Sequence, residues 1–445
     1  MDQTEYLIVG AGMSGLATAN FLPAGTDFQV VEADAEPGGY CKTVRQDGFV
    51  WDYSGHFFHF RHPAVESFLR ARMPPGEVFE VHKRSSILLD GVHRVEFPFQ
   101  KNIHQLPLSD FLACLHDLHF RDQAAAQARD EGVAEDSFLA MLYGRFGRGI
   151  VERFLRPYNE KLYAVGLDQL DREAMGRFFP KADVDDIFRT FGRAAAGELD
   201  GDGGYNAHFS YPRGGAIEYV RALLHDLDPA RVHLSERLLS VDLEARVATT
   251  NRRKVRFTHL VSSAPLPTLL AICGQPFDRA LYSWNKVLVY NLGFDRKGPD
   301  RDHWVYIPDR DKVFYRIGFY DNIFATDRMS LYIEIGLRAD AEVDVEATLP
   351  RVLDDLRRCG VVEDHQLVSW HSVVLDPAYV HVSQRGQLDV QRWRTHLGAH
   401  GVHSIGRYGG WTYCSIEDNL LEAHALTKAL TGHGAALDRP AGRHG

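Results

Sequence analysis

Cysteine is scarce and scattered in this chain. The five residues (Cys41, Cys114, Cys273, Cys359 and Cys414) are odd in number and lack C-x-x-C spacing. That argues against a disulfide framework or a cysteine zinc site and fits thiols kept reduced. Long apolar runs are missing too: no stretch approaches the roughly 20 residues of a membrane-spanning helix. Met1 to Glu5 is polar and acidic, and the apolar run behind it is broken by glycines, unlike an export signal. A cytoplasmic location is the expectation. Positive charge is not in excess: the formal net charge of −10 speaks against a nucleic-acid surface. There is no carboxylate pair of glycosidase character and no Ser/His/Asp arrangement. His56, His59 and His62 fall at i, i+3 and i+6 on a loop-like aromatic stretch, so no metal is assigned. Internal repeats are also absent.

What remains is an ordinary globular composition, 45% apolar and 25% charged, on 445 residues, long enough for two or three domains. Near the start, "EYLIVGAGMSGLATANFL" reads as strand, glycine turn and amphipathic helix. Gly10, Gly12 and Gly15 form G-x-G-x-x-G. The first permits the tight turn, the second lets backbone approach a pyrophosphate, and the third packs helix on strand. Met13 and Ser14 open the helix, whose N-terminus offers unpaired N–H groups to phosphate. "FQVVEAD" supplies a second strand ending in Glu32, at the separation expected of a ribose-binding acid. Gly38, Gly39 and Tyr40 follow in "GGYCKT". A second glycine pair so soon after the acid resembles the glutathione-reductase-like flavoproteins and favours FAD over a nicotinamide cofactor.

A later stretch, "WVYIPDRDKVFYR", carries Tyr306, Tyr315 and Arg316 with only three aliphatics. A strand that merely covered a core would hold more Val, Ile and Leu, so this one is expected to border a cleft. Positions 306 and 316 share a face if the strands flanking the Asp309–Asp311 turn keep register, and Tyr315 should then point away into packing.

Several motifs together resemble the UDP-galactopyranose mutases, closer to the eukaryotic type. They are "GGYCKTVRQDGFVWDYSGHFFHF", "FPFQKNIHQLP", "FLRPYNEKLYAV", "NAHFSYPRGGAIEYV", "AYVHVSQRGQL" and "GRYGGWTY", in that family's order along nearly the whole chain. The resemblance implies an enzyme that interconverts the pyranose and furanose forms of a nucleotide-diphosphate sugar, a UDP-sugar first of all. In the family, N5 of reduced FAD attacks the anomeric carbon and displaces the diphosphate, with NADH or NADPH as candidate reductants.

It also implies roles residue by residue. Arg316 and Arg407 match the arginines that stabilise charge on the departing diphosphate, with Tyr306, Tyr379 and Tyr413 as phenol partners. Arg177, in "MGRFFP", is matched across a one-residue gap to the arginine of a mobile loop. Phe97 and Phe154 would flank a pyrimidine, with Gln100 and Asn159 on its edge, although periodicity alone puts Phe154 in a helix core. Tyr163 stands where the family has tryptophan. His56, after Gly55, matches the histidine beside the flavin ring. Gly406, Arg407 and Asp418 bring the last segment to the cofactor, though Asp418 and Glu417 suit helix capping equally after Ser415.

The expected fold is α/β: a Rossmann-like FAD-binding domain of the glutathione-reductase type, a helical insert and an antiparallel sheet. Residues 1–80, 201–280 and 396–445 are assigned to the FAD domain, 81–107 and 281–395 to the sheet, and 108–200 to a helical substrate domain. "AAAGELDGDGGYN" is a glycine-rich linker or lid. An FAD oxidase or desaturase of the amine-oxidase or protoporphyrinogen-oxidase type would share the cofactor domain. It would want an apolar tunnel in place of a cleft lined by arginine and tyrosine.

Overall fold

The computed structural model describes residues 1–172, 174–175, 184–197, 207–432 and 437. Arg177 and positions 198–206 of the expected linker lie outside the described residues.

The cofactor sheet grows from one apolar strand. Asp2–Val9 pairs in parallel with Phe28–Val31 on one side and Lys254–Ser262 on the other. Its side chains alternate: Tyr6 and Ile8 enter one buried cluster, Leu7 another. Both faces are therefore covered, as a parallel strand requires. Val232–His233 and Val402–Ser404 add in parallel, and the hairpin of Leu238–Asp242 and Val247–Thr250 closes one edge. The helices Met13–Phe21 and Ile416–Thr431 pack together on the Ile8 side.

The second sheet runs in the order Leu367–Leu375, Asn285–Phe294, Ser330–Arg338, Arg316–Phe319, Trp304–Tyr306, Ser85–Leu89, His93–Glu96. It is antiparallel except at one junction, where Trp304–Tyr306 meets Ser85–Leu89 in parallel. Those strands come from distant parts of the chain, so no hairpin dictates their relative direction. Val305, Ile317 and Ile333 pack toward the helix Val345–Arg358, while Trp304, Tyr306 and Tyr332 face the helical insert.

The insert contains the helices Leu108–His119, Arg121–Asp130, Phe138–Ile150, Arg156–Tyr163 and Val184–Ala195. One of them is bolted to the sheet. Arg156–Tyr163 stops at Ala164, which takes the left-handed conformation (φ 55°), and its last carbonyls find partners across the interface. The Leu162 carbonyl accepts from Asn285 Nδ2 at 2.6 Å, and the Tyr163 carbonyl lies 3.1 Å from His381 Nε2. The Lys161 carbonyl approaches Gly336 so closely that a Cβ there would sit 2.0 Å from it. In the reverse direction, Lys161 Nζ donates to the carbonyls of Ile307 (2.9 Å), Asp309 (2.9 Å) and Phe314 (2.5 Å). An ammonium has three donors, and here each meets one carbonyl of the turn between Tyr306 and Arg316.

Replacing Lys161 by Met keeps the stem and removes all three donors. Unfolding in urea should then be easier by about 3 kcal/mol, whereas an exposed lysine such as Lys254 should tolerate the same change almost without effect. A Lys161 variant as stable as the parent would mean that the turn is held by other contacts.

Candidate active site

The cofactor cradle is built from glycine geometry. Gly10 adopts φ +102°, open to glycine and strained for other residues. At Gly15 a Cβ would lie 1.9 Å from the Gly10 carbonyl, so helix and strand can touch only through hydrogen. Glu32 locks the turn from the next strand, accepting from the backbone N–H of Ala11 (2.7 Å) and of Asp34 (2.9 Å). Above it runs a cavity of about 530 Å³. Gly10, Gly12, Met13, Ser14, Glu32, Gly38, Gly39, Tyr40, Gly55, His56, Gly406 and Arg407 all line it.

A dinucleotide fits these residues. In the cavity wall Gly12 and Gly39 abut, and a Cβ on either would come within 3.6–3.9 Å of the other's backbone. The helix that begins there has no acidic residue in its first turn and no side-chain cap, leaving its N–H groups for phosphate.

At the other end of the cavity lie His56, Arg316, Tyr379, Arg407 and Tyr413. His56 Nδ1 sits 2.9 Å from the Ser54 carbonyl and donates its proton there, which leaves Nε2 as the acceptor. Burial, and then the Arg407 guanidinium, push this imidazole down to about 4, so it is neutral at physiological pH.

Arg316 faces Tyr306 directly across an antiparallel pair, so the two share a face as expected. Arg316 does not stand alone there. Its Nε donates to Glu334 Oε2 at 2.6 Å, its Nη2 contacts the same oxygen, and Ser54 Oγ donates to Glu334 Oε1. Glu334 is 1% exposed. The sequence reading missed this carboxylate, because only the cross-strand register places it opposite Arg316.

Tyr315 departs from expectation as well. It packs in the Tyr306 cluster, whereas Phe314 and Ile317 pack on the opposite face. The cause is local: the Tyr315 N–H donates to the Glu334 carbonyl (3.0 Å), the residue already paired with Arg316. Two residues thus oppose one, as in a β-bulge, and strict alternation fails.

Arg407 is the contrasting cation. Its Nη2 donates to the Cys414 carbonyl (2.7 Å) and its guanidinium lies 4.8 Å from the Tyr413 ring centroid. Tyr413 stacks in turn on Tyr379 at 5.9 Å. Among the described residues no carboxylate forms an ion pair with Arg407. Asp418, expected at the cofactor, does not line the cavity. It completes a capping box with Ser415 and pairs with Arg61 at 2.9 Å, so its oxygens are already used within the protein. Glu417 likewise accepts from the backbone N–H groups of Arg61 and His62.

The aromatic wall divides its expected members. Phe97 is half-buried against Tyr306 (4.8 Å). Phe154 is 2% exposed, packed on Phe99 and stacked on Tyr158, so it is the helix core that periodicity indicated and not an open face for a base. Gln100 and Asn159 are buried behind these rings. Asn159 spends Nδ2 on the Leu155 carbonyl (2.6 Å), which leaves Oδ1 for any other contact. Tyr163 lies 6.0 Å from Tyr379, ring to ring.

A two-sheet fold with a dinucleotide cradle and a polar chamber beyond it defines an FAD-dependent enzyme class. The sequence profile of the flavin containing amine oxidoreductases matches residues 13–424, and the chain belongs to that family. Among curated proteins it is similar to protoporphyrinogen oxidase 2, chloroplastic/mitochondrial, of Arabidopsis thaliana. The two are 26% identical over 199 residues, 43% of this chain and 38% of that protein. It is also similar to the zeta-carotene-forming phytoene desaturase of Myxococcus xanthus, 49% identical over 49 residues, 11% of this chain and 10% of that one. The chain thus matches well under half the length of these relatives.

Among solved structures, reduced UDP-galactopyranose mutase superposes with a TM-score of 0.84 at 22% identity, over 98% of this chain and 96% of that one. Putrescine oxidase bound to putrescine gives 0.64 at 17%, over 97% and 99%. At these identities the likeness is one of fold. Among the described residues no helix is long and apolar enough to cross a membrane.

Two outcomes follow from this geometry. Gly12→Val should purify colourless, because its γ-methyls extend past a Cβ already 3.9 Å from the Gly39 backbone and intrude on the cavity that Gly12 lines, while its far-ultraviolet circular dichroism should match the parent's. A yellow variant with full flavin content would move the cofactor elsewhere. The second concerns pH. His56 titrates near 4 when folded and near 6.5 when not, so between those values the unfolded chain binds the proton first. Its share of stability is intact above about pH 6.5 and shrinks as pH falls toward 4. In denaturation series at pH 7 and pH 5, His56→Gln should lose less stability on acidification than the parent; equal losses would contradict the assignment.

Proposed function

We propose that the chain is a flavin-dependent mutase interconverting the pyranose and furanose forms of a nucleotide-diphosphate sugar, a UDP-sugar first of all. The observation that carries this is the chamber beyond the flavin corridor. Arg316, Arg407, Tyr379 and Tyr413 line it, and among the described residues no carboxylate forms an ion pair with Arg407. The fold likeness to reduced UDP-galactopyranose mutase and the ordered motifs support the same conclusion. A cytoplasmic setting and a nicotinamide reductant belong to this proposal, as does the division into FAD, helical and sheet segments.

When bound and reduced, FAD would supply N5 as the nucleophile for the anomeric carbon. The protein's part is positioning and charge. Arg407 would hold the diphosphate as it leaves and keep it near for return, aided by the Tyr413 and Tyr379 hydroxyls. Arg316 would act with its charge partly offset by Glu334, giving direction more than net attraction. Neutral His56 would offer Nε2 as an acceptor, without adding a cation near the reacting carbon.

A second reading, a flavin oxidase or desaturase, is favoured by the curated relatives, which include protoporphyrinogen oxidases and a phytoene desaturase. The polar chamber argues against it, because an apolar substrate would desolvate the arginines and phenols that line it while adding no hydrogen bond to them.

Redox state separates the two. UDP-galactose should be isomerised only after dithionite or a nicotinamide reductant, with many turnovers for one reduction, and cyanoborohydride should trap the sugar on the flavin. An oxidase would instead bleach with its substrate and release peroxide once per turnover. Under mutase conditions Arg407→Ala should retain flavin and lose about a hundred- to a thousandfold in rate. Near-normal turnover would return Arg407 to a structural role.

A further inference from the structure

Tyr379 lines the cavity, yet the ladder of its own sheet stops short of it. The edge strand Leu367–Leu375 ends with Leu375 opposite Val287. The chain meets the neighbouring strand again at Asn285, so two steps along one side are matched by four on the other, from Leu375 to Tyr379. The surplus residues, Asp376, Pro377 and Ala378, leave the ladder as a detour, as extra residues in a strand pair must. Their N–H and C=O groups then need partners outside the regular sheet.

Those partners come from the cofactor cradle. The Tyr40 hydroxyl accepts from the Asp376 N–H (3.0 Å) and donates to the Pro377 carbonyl (3.2 Å). The Tyr408 hydroxyl donates to the Ala378 carbonyl (3.1 Å). The two rings meet edge to face at 5.7 Å, and both line the cavity. Burial raises both phenols, Tyr40 to about 12, so each keeps its proton at neutral pH and can donate. Asn285 closes the grip from the other side. Its carbonyl accepts from the Ala378 N–H (2.9 Å) and its Oδ1 from the Tyr379 N–H (2.8 Å), while its own N–H donates to the Tyr379 carbonyl (3.0 Å).

Ring packing does not call for either hydroxyl, since phenylalanine would fill the same space. Asp376 is exposed, so water could serve its backbone. What the hydroxyls add is a fixed position for the residue that follows the detour. Tyr379 is thereby held relative to the cofactor cavity, with its ring 5.9 Å from Tyr413.

We propose that Tyr40 and Tyr408 are positioning residues for the substrate chamber: acting through residues 376–378, their hydroxyls fix the Tyr379 phenol where it meets the diphosphate. This rests on the mutase reading and deepens it, since two walls of the cofactor cavity gain a task in holding the nucleotide sugar. A phenol out of place loses part of its hydrogen bond to the ligand, and at most all of it. The effect of either hydroxyl is therefore bounded by that of the Tyr379 hydroxyl itself.

The test titrates UDP into the flavin-loaded full chain and into the variants Tyr40→Phe, Tyr408→Phe and Tyr379→Phe. Each of the first two is also combined with the third. Tyr40→Phe and Tyr408→Phe should keep their flavin and bind UDP about three- to thirtyfold more weakly than the parent. With Tyr379→Phe already present, either substitution should change UDP affinity by less than about twofold, because the contact it positions is gone. A hydroxyl that only stabilised the fold would show no such dependence on Tyr379.

Unchanged UDP affinity in the single variants would overturn the inference. So would weakening that adds in full to that of Tyr379→Phe, which would route the effect through Arg407, the neighbour of Tyr408. Loss of flavin or failure to fold in either variant would assign that hydroxyl to the fold and overturn its positioning role. Each of these outcomes leaves the mutase reading standing if the parent binds UDP. A parent that does not bind UDP removes both.

Discussion

The ion pair between Glu334 and Arg316 is the constraint on which the chamber depends. A carboxylate 1% exposed on a central strand must be matched by charge and hydrogen bonds, since leaving either partner alone in that environment is strongly unfavourable. The match requires Arg316 directly opposite Glu334, which fixes the register of the sheet where it borders the cavity. It also reaches outside the sheet: Ser54 donates to the free oxygen of Glu334, and the Ser54 carbonyl orients His56. One side chain thereby joins the second sheet, the loop that carries the histidine, and the end of the cavity.

The pair also distributes charge. Arg316 and Glu334 largely cancel at a distance, so the field of the chamber is centred on Arg407, which leans on a tyrosine ring and a backbone carbonyl. An anion entering here meets one strong attraction and one oriented dipole-like pair. Such asymmetry suits a ligand whose negative charge is concentrated in one part and whose remainder is neutral and hydroxylated. Within a family that shares a cofactor domain, substrate class is argued from such a lining and not from the fold.

Local pattern explains how much of this was legible in the sequence. The glycine turn, Glu32 and the Gly38–Gly39 pair follow from spacing, because backbone approach and positive φ restrict those positions to few residue types. The helix core around Phe154 follows from periodicity. Glu334 could not be read: eighteen residues separate it from Arg316, and only hydrogen-bond register brings them together. Tyr315 was misread because alternation presumes an unbroken ladder, and one extra residue reverses the face. Asp418 suited a cap and a cofactor contact equally on sequence, and the neighbour that tips the balance, Arg61, is distant along the chain.

The bolted helix Arg156–Tyr163 bears on how such a chamber can diversify. Its last carbonyls and the Lys161 ammonium are all tied to the sheet, so the backbone bearing Asn159 and Tyr163 has a fixed address in the frame of Arg316. Side chains displayed from it can be exchanged without moving the frame. The helix is in this sense a mounting plate: the residue at position 163, packed behind the Tyr379 ring that lines the cavity, can change while the docking beneath stays the same. New wall shapes can then arise by single substitutions, each visible to selection on its own, with no need for coordinated change across the interface.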